Sequence, residues 1–181
     1  AYTPMANANR LILEPAVREV LPRAGGKPVI VGLCPTDPTR AGAGMLEKVK
    51  AAGIHGVNNF PSMGFYGGGL GRFLERAGYG YGREAAFMAE AAAAGLFTLP
   101  FVYTEDHARA MAEAGVDALC ANLNLPVGAD APGFGRTSVA DASFAIDRMF
   151  AAAARVNPGI IRLFYCAGPV SDPEDIDAVL Q

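Results

Sequence analysis

An α/β fold built on parallel strands is what this sequence predicts, and three observations carry the prediction. Five short apolar runs, Pro28–Leu33, Ile54–Phe60, Phe97–Tyr103, Ala118–Leu123 and Ile160–Tyr165, are rich in Val, Ile, Leu and Phe with little polar alternation, as expected of strands covered on both faces. Each run hands over at a small or polar residue to a helix-like stretch, and helices are the usual crossovers between parallel strands. Glycines close the helices where a left-handed residue is needed. In such folds the ligand sits on the loops beyond the carboxyl ends of the strands, so chemistry is sought there.

The elements follow in order. A helix-like stretch, Asn9–Val20, interrupted by Pro15, precedes the first strand. A helix from about Ala43 ends at Gly53, and one over Arg83–Ala94 ends at Gly95. Thr104 is placed to cap the next, with Glu105 and Asp106 in its first turn and Gly115 beyond its end. Ser138 with Asp141 three residues on reads as a capping box, opening a helix that closes before Asn157-Pro158-Gly159. Asp172-Pro173-Glu174 opens the last helix, with proline at its first position. The alanine-rich stretches near 85–94 and 151–154 suit close helix-on-sheet packing. Five strands leave an open sheet or a slice of a barrel, since a complete barrel takes about 250 residues, and periodicity does not choose between them.

Composition narrows the function classes. The 181 residues are 51% hydrophobic and 18% charged, which excludes a disordered chain and allows one sizeable core. A net charge of −3 with no basic stripe argues against nucleic-acid binding. No apolar run is long enough to span a bilayer, so a membrane role is not expected. Three cysteines without paired spacing argue against a disulfide framework and for a reducing, cytoplasmic setting.

The strand ends carry a resemblance. Val31-Gly32-Leu33-Cys34-Pro35-Thr36-Asp37-Pro38, Gly56-Val57-Asn58-Asn59-Phe60-Pro61, Pro100-Phe101-Val102-Tyr103, Met111-Ala112-Glu113-Ala114-Gly115-Val116-Asp117, Val156-Asn157-Pro158 and Gly168-Pro169-Val170 followed by Asp172-Pro173-Glu174-Asp175 together resemble the phosphoenolpyruvate hydrolase-like (phosphonopyruvate hydrolase-like) TIM-barrel family. A related domain forms the C-terminal half of a plant antiviral resistance protein. The resemblance implies a partial (β/α)8 barrel, with five parallel strands and flanking helices. It would lack the first strands and the last strand, so the chain's strands would be the barrel's third to seventh. Two positions depart from the family pattern. Ala121-Asn122-Leu123-Asn124 stands where Ala-His-Met-Gly is typical, and Cys166-Ala167-Gly168-Pro169 where His-Gly-Gly-Pro is typical. Asparagine keeps hydrogen bonding but does not shuttle protons near neutral pH.

What the resemblance implies for function is chemistry on a small phosphorylated or phosphonated acid such as phosphoenolpyruvate or phosphonopyruvate. In that picture Asp37 holds a divalent metal such as Mg or activates water, beside an Asx-turn reading common for Asp before Pro. Asn59 and Asn122 orient the carboxylate, Cys166 stands where the family has histidine, and Arg72 or the amides after Gly168 take the phosphoryl group. Tyr103 and Tyr165 end their strands and line the pocket mouth. The full-length parent is expected to be a homo-oligomer. The second reading is a non-catalytic ligand-binding or signalling barrel that has lost its histidines, and the third an open flavodoxin-like sheet, for which no cofactor loop is found.

Other features read as structural. The glycine-rich Tyr66–Arg72 segment leads toward a helix-like stretch, matches neither a P-loop nor a dinucleotide fingerprint, and reads as a lid or turn. Gly78-Tyr79-Gly80-Tyr81-Gly82 is a weaker version of it. His55 falls at the start of its strand, and His107 is expected to be exposed on its helix. Cys34 and Cys120 are expected to be core residues. Asp130–Arg136 reads as a loop over the pocket.

Overall fold

The computed structural model describes residues 7–39, 44–123, 138–165, 170 and 172–180. Cys166, Gly168, Asn124 and the Asp130–Arg136 loop lie outside the described residues. Helix α1 (Ala8–Pro15) runs into a wider π turn (Ala16–Val20). Pro15 supplies no N–H to the helical ladder, and a bulged turn absorbs that gap. There follow β1 (Ile30–Gly32), α2 (Met45–Ala51), β2 (Gly56–Asn58), α3 (Gly68–Arg76), α4 (Tyr81–Ala93), β3 (Phe97–Thr98), β4 (Phe101–Val102), α5 (Glu105–Glu113), β5 (Ala118–Asn122), α6 (Val139–Ala154), β6 (Ile161–Tyr165) and α7 (Pro173–Leu180).

All the strand pairings among the described residues are parallel, in two three-stranded sheets ordered β1-β2-β3 and β4-β5-β6. The apolar run 97–103 is therefore two strands rather than one. Pro100 has no N–H to donate, so the ladder breaks there. The two pieces change partner: Leu99 N donates to Val57 O at 3.0 Å, while Cys120 N donates to Pro100 O at 2.8 Å. The result is an α/β chain with seven α-helices and two parallel sheets among the described residues, consistent with a partial α/β barrel.

Local chemistry explains the helix ends. Thr104 Oγ accepts from His107 N at 3.1 Å, Ser138 and Asp141 form a reciprocal capping box, and Asp172 Oδ1 accepts from Asp175 N at 3.0 Å. Gly53, Gly95 and Gly115 take positive φ after their helices. One expectation fails: Gly68–Arg76 is helical, so most of the glycine-rich segment is helix rather than lid. Gly71 is required there because a Cβ would strike the carbonyl of Tyr66. No helix among the described residues is long and apolar enough to cross a membrane.

The core lies between the helices and one face of the sheets, around Val31, Val57, Val102, Leu119, Met88, Met111 and Ile146. The other face is different. Ile30, Gly56 and Phe97 share a register row, as do Cys120 with Leu163 and Asn122 with Tyr165. Along it Ile30, Phe97, Ile161, Leu163 and Tyr165 are exposed, and exposed apolar side chains on a sheet face favour association. Residues 1–181 produced alone are expected to self-associate. Light scattering should show species larger than a monomer, reduced by Ile161→Lys with Leu163→Lys; a monodisperse monomer would count against this.

Candidate functional site

Because the strands are parallel, Asp37, Asn59, Tyr103 and Asn122 lie at or beyond the carboxyl ends of β1, β2, β4 and β5 respectively, on one rim. The site is best built from the loop that follows β2. Asn59 is 0% exposed, and its side-chain amide closes the gap that Pro100 leaves in the ladder. Its Oδ1 accepts from Phe101 N at 2.7 Å and its Nδ2 donates to Phe101 O at 3.2 Å, as a strand backbone would. The same Nδ2 donates to Glu84 Oε2 at 2.6 Å.

Glu84 is the centre that the sequence reading missed. It lies in the first turns of α4 and is 1% exposed. Its Oε2 also accepts from Ser62 Oγ at 2.7 Å, and its Oε1 accepts from Met63 N. Burial pushes its pKa up to about 8, against hydrogen bonds from Ser62, Met63 and Asn59 that pull it down. Strong perturbation by burial within a strand-end cluster marks a functional candidate. The signal was present in the sequence: Glu84 stands three residues after Tyr81 and four before Met88, on the apolar face of an amphipathic helix.

Aromatic side chains cover this carboxyl. Tyr81 donates its hydroxyl to Phe101 O at 2.6 Å. His107, expected to be exposed, is instead stacked on Tyr81, with ring centroids 3.6 Å apart and planes 11° from parallel. Its position in the first turn of α5 aims it at the start of α4, and its Nδ1 is buried without a hydrogen-bond partner. Burial lowers its pKa to about 4, only partly opposed by Asp106, so it is neutral at pH 7. Tyr103 packs edge-on against Phe65, Tyr81 and His107. Its hydroxyl is buried, makes no hydrogen bond, and has its pKa raised by burial.

Asp37 has a different environment. It is 1% exposed, and its two oxygens accept from Asn7 N (3.0 Å), Asn9 N (2.9 Å), Thr39 N (2.9 Å) and Thr39 Oγ (2.8 Å). Burial raises its pKa, but these donors more than offset that and leave it lowered. The carboxylate thus caps the amino end of α1 and closes an Asx turn. Three of these donors sit on Oδ1 and one on Oδ2, and this crowd of N–H and O–H groups disfavours a divalent metal there. Among the described residues no three His, Cys, Asp or Glu side chains gather as a metal site.

The remaining candidates separate. Asn122 is buried at the end of β5. Arg72 is exposed on α3, which packs against the 63–65 turn. Tyr165 is exposed on the uncovered face and packs edge-on against Phe101, which in turn meets Phe60. Cys34 and Cys120 are buried; burial raises the Cys34 thiol, which lies 3.2 Å from Thr36 Oγ. His55 is exposed at its strand start, its Nδ1 accepting from Val29 N at 3.1 Å. A pocket of about 250 Å³ opens beside Tyr103, between α5 and α6, with Leu123, Phe144, Arg148 and Met149 in its lining.

Asn59→Leu is expected to cost about 2–3 kcal/mol, because it removes the bridge to Phe101 and one donor to Glu84. Urea unfolding checks this; a cost below about 1 kcal/mol would mean the bridge carries little.

Comparison with known proteins gives the same family as the strand ends. The chain is 36% identical over 178 residues to the ToMV susceptible protein tm-1(GCR26) of Solanum lycopersicum, covering 98% of this chain and 23% of the relative. The ToMV resistance protein Tm-1(GCR237) of the same plant matches with the same identity and coverage. The chain therefore spans about a quarter of the length of these relatives. The family described as phosphoenolpyruvate hydrolase-like matches residues 1–181, and the chain belongs to that family.

Proposed function

We propose that this chain forms part of a (β/α)8 barrel whose strand-end rim binds a small acid of the phosphoenolpyruvate or phosphonopyruvate class. The observation that carries the reading is the convergence of Asn59 and Ser62 from the loop after β2, Tyr103 from beyond β4 and Glu84 from α4 at the carboxyl ends of the strands. There a buried tyrosine hydroxyl is left without a partner, and such groups ordinarily have one. Family membership supplies the substrate class, and fold likeness alone does not establish a reaction. In this reading Asp37 shapes the rim by holding α1, and acid–base work falls to Glu84.

A second reading, a binding module without turnover, is favoured by Asn122 and Cys166 standing where the family pattern has histidines. The printed names of the tomato relatives describe resistance and susceptibility rather than a reaction.

Calorimetry of the full-length protein with phosphonopyruvate and with phosphoenolpyruvate, with and without magnesium, tests both readings, together with an assay for released pyruvate. Binding of either acid is expected. Pyruvate release supports the enzyme, and saturable binding without release supports the module. No binding of either acid overturns the small-acid reading.

A further inference from the structure

We propose that a second copy of this chain docks onto helix α3, joining its basic and apolar face to an acidic and apolar face that α6 and α7 present on the other copy.

The helix without a cover comes first. Leu70, Phe73 and Leu74 recur at three- and four-residue intervals, the spacing of one helical stripe. An amphipathic helix ordinarily turns such a stripe to the core, yet none of the residues of α3 is buried. Leu70 is 48% exposed and Phe73 57% exposed. What ties α3 to the rest of the chain lies on its other side. Glu75 accepts from Gly82 N at 3.2 Å, and Gly71 sits against the Tyr66 carbonyl.

Charge selects the occupant. Arg72 and Arg76 stand one turn apart beside the stripe. Both are exposed, and neither has an ion-pair partner among the described residues. They belong to a wider division of the molecule. Residues 1–99, which build the first sheet and its helices, contain ten Lys and Arg against seven Asp and Glu, and residues 100–181 contain five against eleven. Copies of a chain so divided attract one another, basic half to acidic half.

The acidic half holds the matching surface. Helices α6 and α7 pack against each other. Phe144 on α6 is 63% exposed, and Asp147 is exposed three residues later on the same face. Glu174 and Asp177 are exposed three residues apart on α7. None of these three carboxylates has an ion-pair partner among the described residues. Arg148, four residues after Phe144, is paired with Glu105 at 2.6 Å, so it does not offset them. An apolar patch flanked by carboxylates is the complement of an apolar patch flanked by guanidinium groups. Burial of the rings would supply the affinity, and the charges the orientation. Each copy carries both faces, so a two-fold pair makes the contact twice. The contact shares no residue with the exposed sheet face.

Sedimentation equilibrium of the full-length protein tests this with two charge reversals at exposed positions. Wild type should be a self-associated species. Arg72→Glu with Arg76→Glu, and separately Glu174→Arg with Asp177→Arg, should each raise the dissociation constant at least about tenfold, since each sets like charges across the contact. Mixing the two variants in equal amounts should bring association back close to wild type, because in mixed pairs every α3 meets opposite charge. A segment of the parent chain covering α3 would give no such rescue between separate molecules. Phe73→Ser should also weaken association at least about tenfold. A monomeric wild type, any of the three variants associating like wild type, or a mixture that stays dissociated overturns the proposal.

Discussion

Asp37→Ala is expected to lower the free energy of unfolding by at least about 3 kcal/mol, because four donors would lose their acceptor in a site closed to water. The effect should begin at the amino end. Asn7 N and Asn9 N are anchored by this carboxylate, so α1 should detach first and limited proteolysis should cut within residues 8–23. Asp37→Asn separates this role from metal binding. An asparagine with its oxygen at the Oδ1 position would turn its NH2 toward the Asn9 N–H, so it too should destabilise the protein, by about 1–2 kcal/mol. A metal-ligand aspartate would lose ion affinity at Asn with stability nearly intact, and that outcome in urea unfolding would support Asp37 as a metal ligand. The pH dependence has a definite sign. With its folded pKa lowered, Asp37 stabilises fully above the ordinary carboxylate value, and this is lost as pH falls through the folded value.

Between pH 6.5 and 8 the wild-type protein is expected to lose about 2 kcal/mol of stability, and Glu84→Gln to lose almost none over that interval. A carboxyl whose folded pKa is raised to about 8 binds more protons folded than unfolded at every pH between the two values. Its contribution is therefore present at low pH and fades as pH rises toward 8. His107 works in the opposite direction. With a folded pKa near 4, its neutral form stabilises above pH 6.5, and that term is lost as pH falls toward 4. From pH 4.5 to 6.5 the two slopes oppose each other, and above 6.5 Glu84 acts without that opposition. Glutamine copies the shape of the protonated acid, so E84Q should fold. Chemical unfolding at a series of pH values checks the slope. A flat wild-type profile from 6.5 to 8 would show that Glu84 is ionised throughout.

The helix ends were legible because capping is local. Thr104, the Ser138–Asp141 pair and Asp172 act on amides three residues away. The common rim was legible too, since the apolar runs implied parallel strands. Pro100 was visible inside its run, and its missing N–H could have announced the break into β3 and β4. A helix-like stretch after the glycine-rich loop was legible, but its first turn was hidden by Gly68, Gly69 and Gly71, although Leu70, Phe73 and Leu74 carry helical spacing. The roles of Asp37 and Asn59 were not legible. Asp37 depends on a helix 28 residues earlier in the chain, and Asn59 on a strand 42 residues later. Whether a carboxylate meets a metal or four amides is decided by what the fold brings to it. His107 was misplaced for the same reason, since only the packing of α4 beside α5 supplies the ring it stacks on.

Asn59 is not unique in lending its amide to the sheet. Asn9, also 0% exposed, accepts from Cys34 N at 2.7 Å and donates to Cys34 O at 2.9 Å, continuing β1 in the same way. Both carboxamides are thus spent as surrogate peptide groups, and both sit where spontaneous deamidation would do most harm. Conversion to aspartate would put an anionic oxygen against a main-chain carbonyl at either place. Their seclusion from water is the safeguard, so chemical ageing at these two positions should track how often the rim opens rather than how long the protein has been stored.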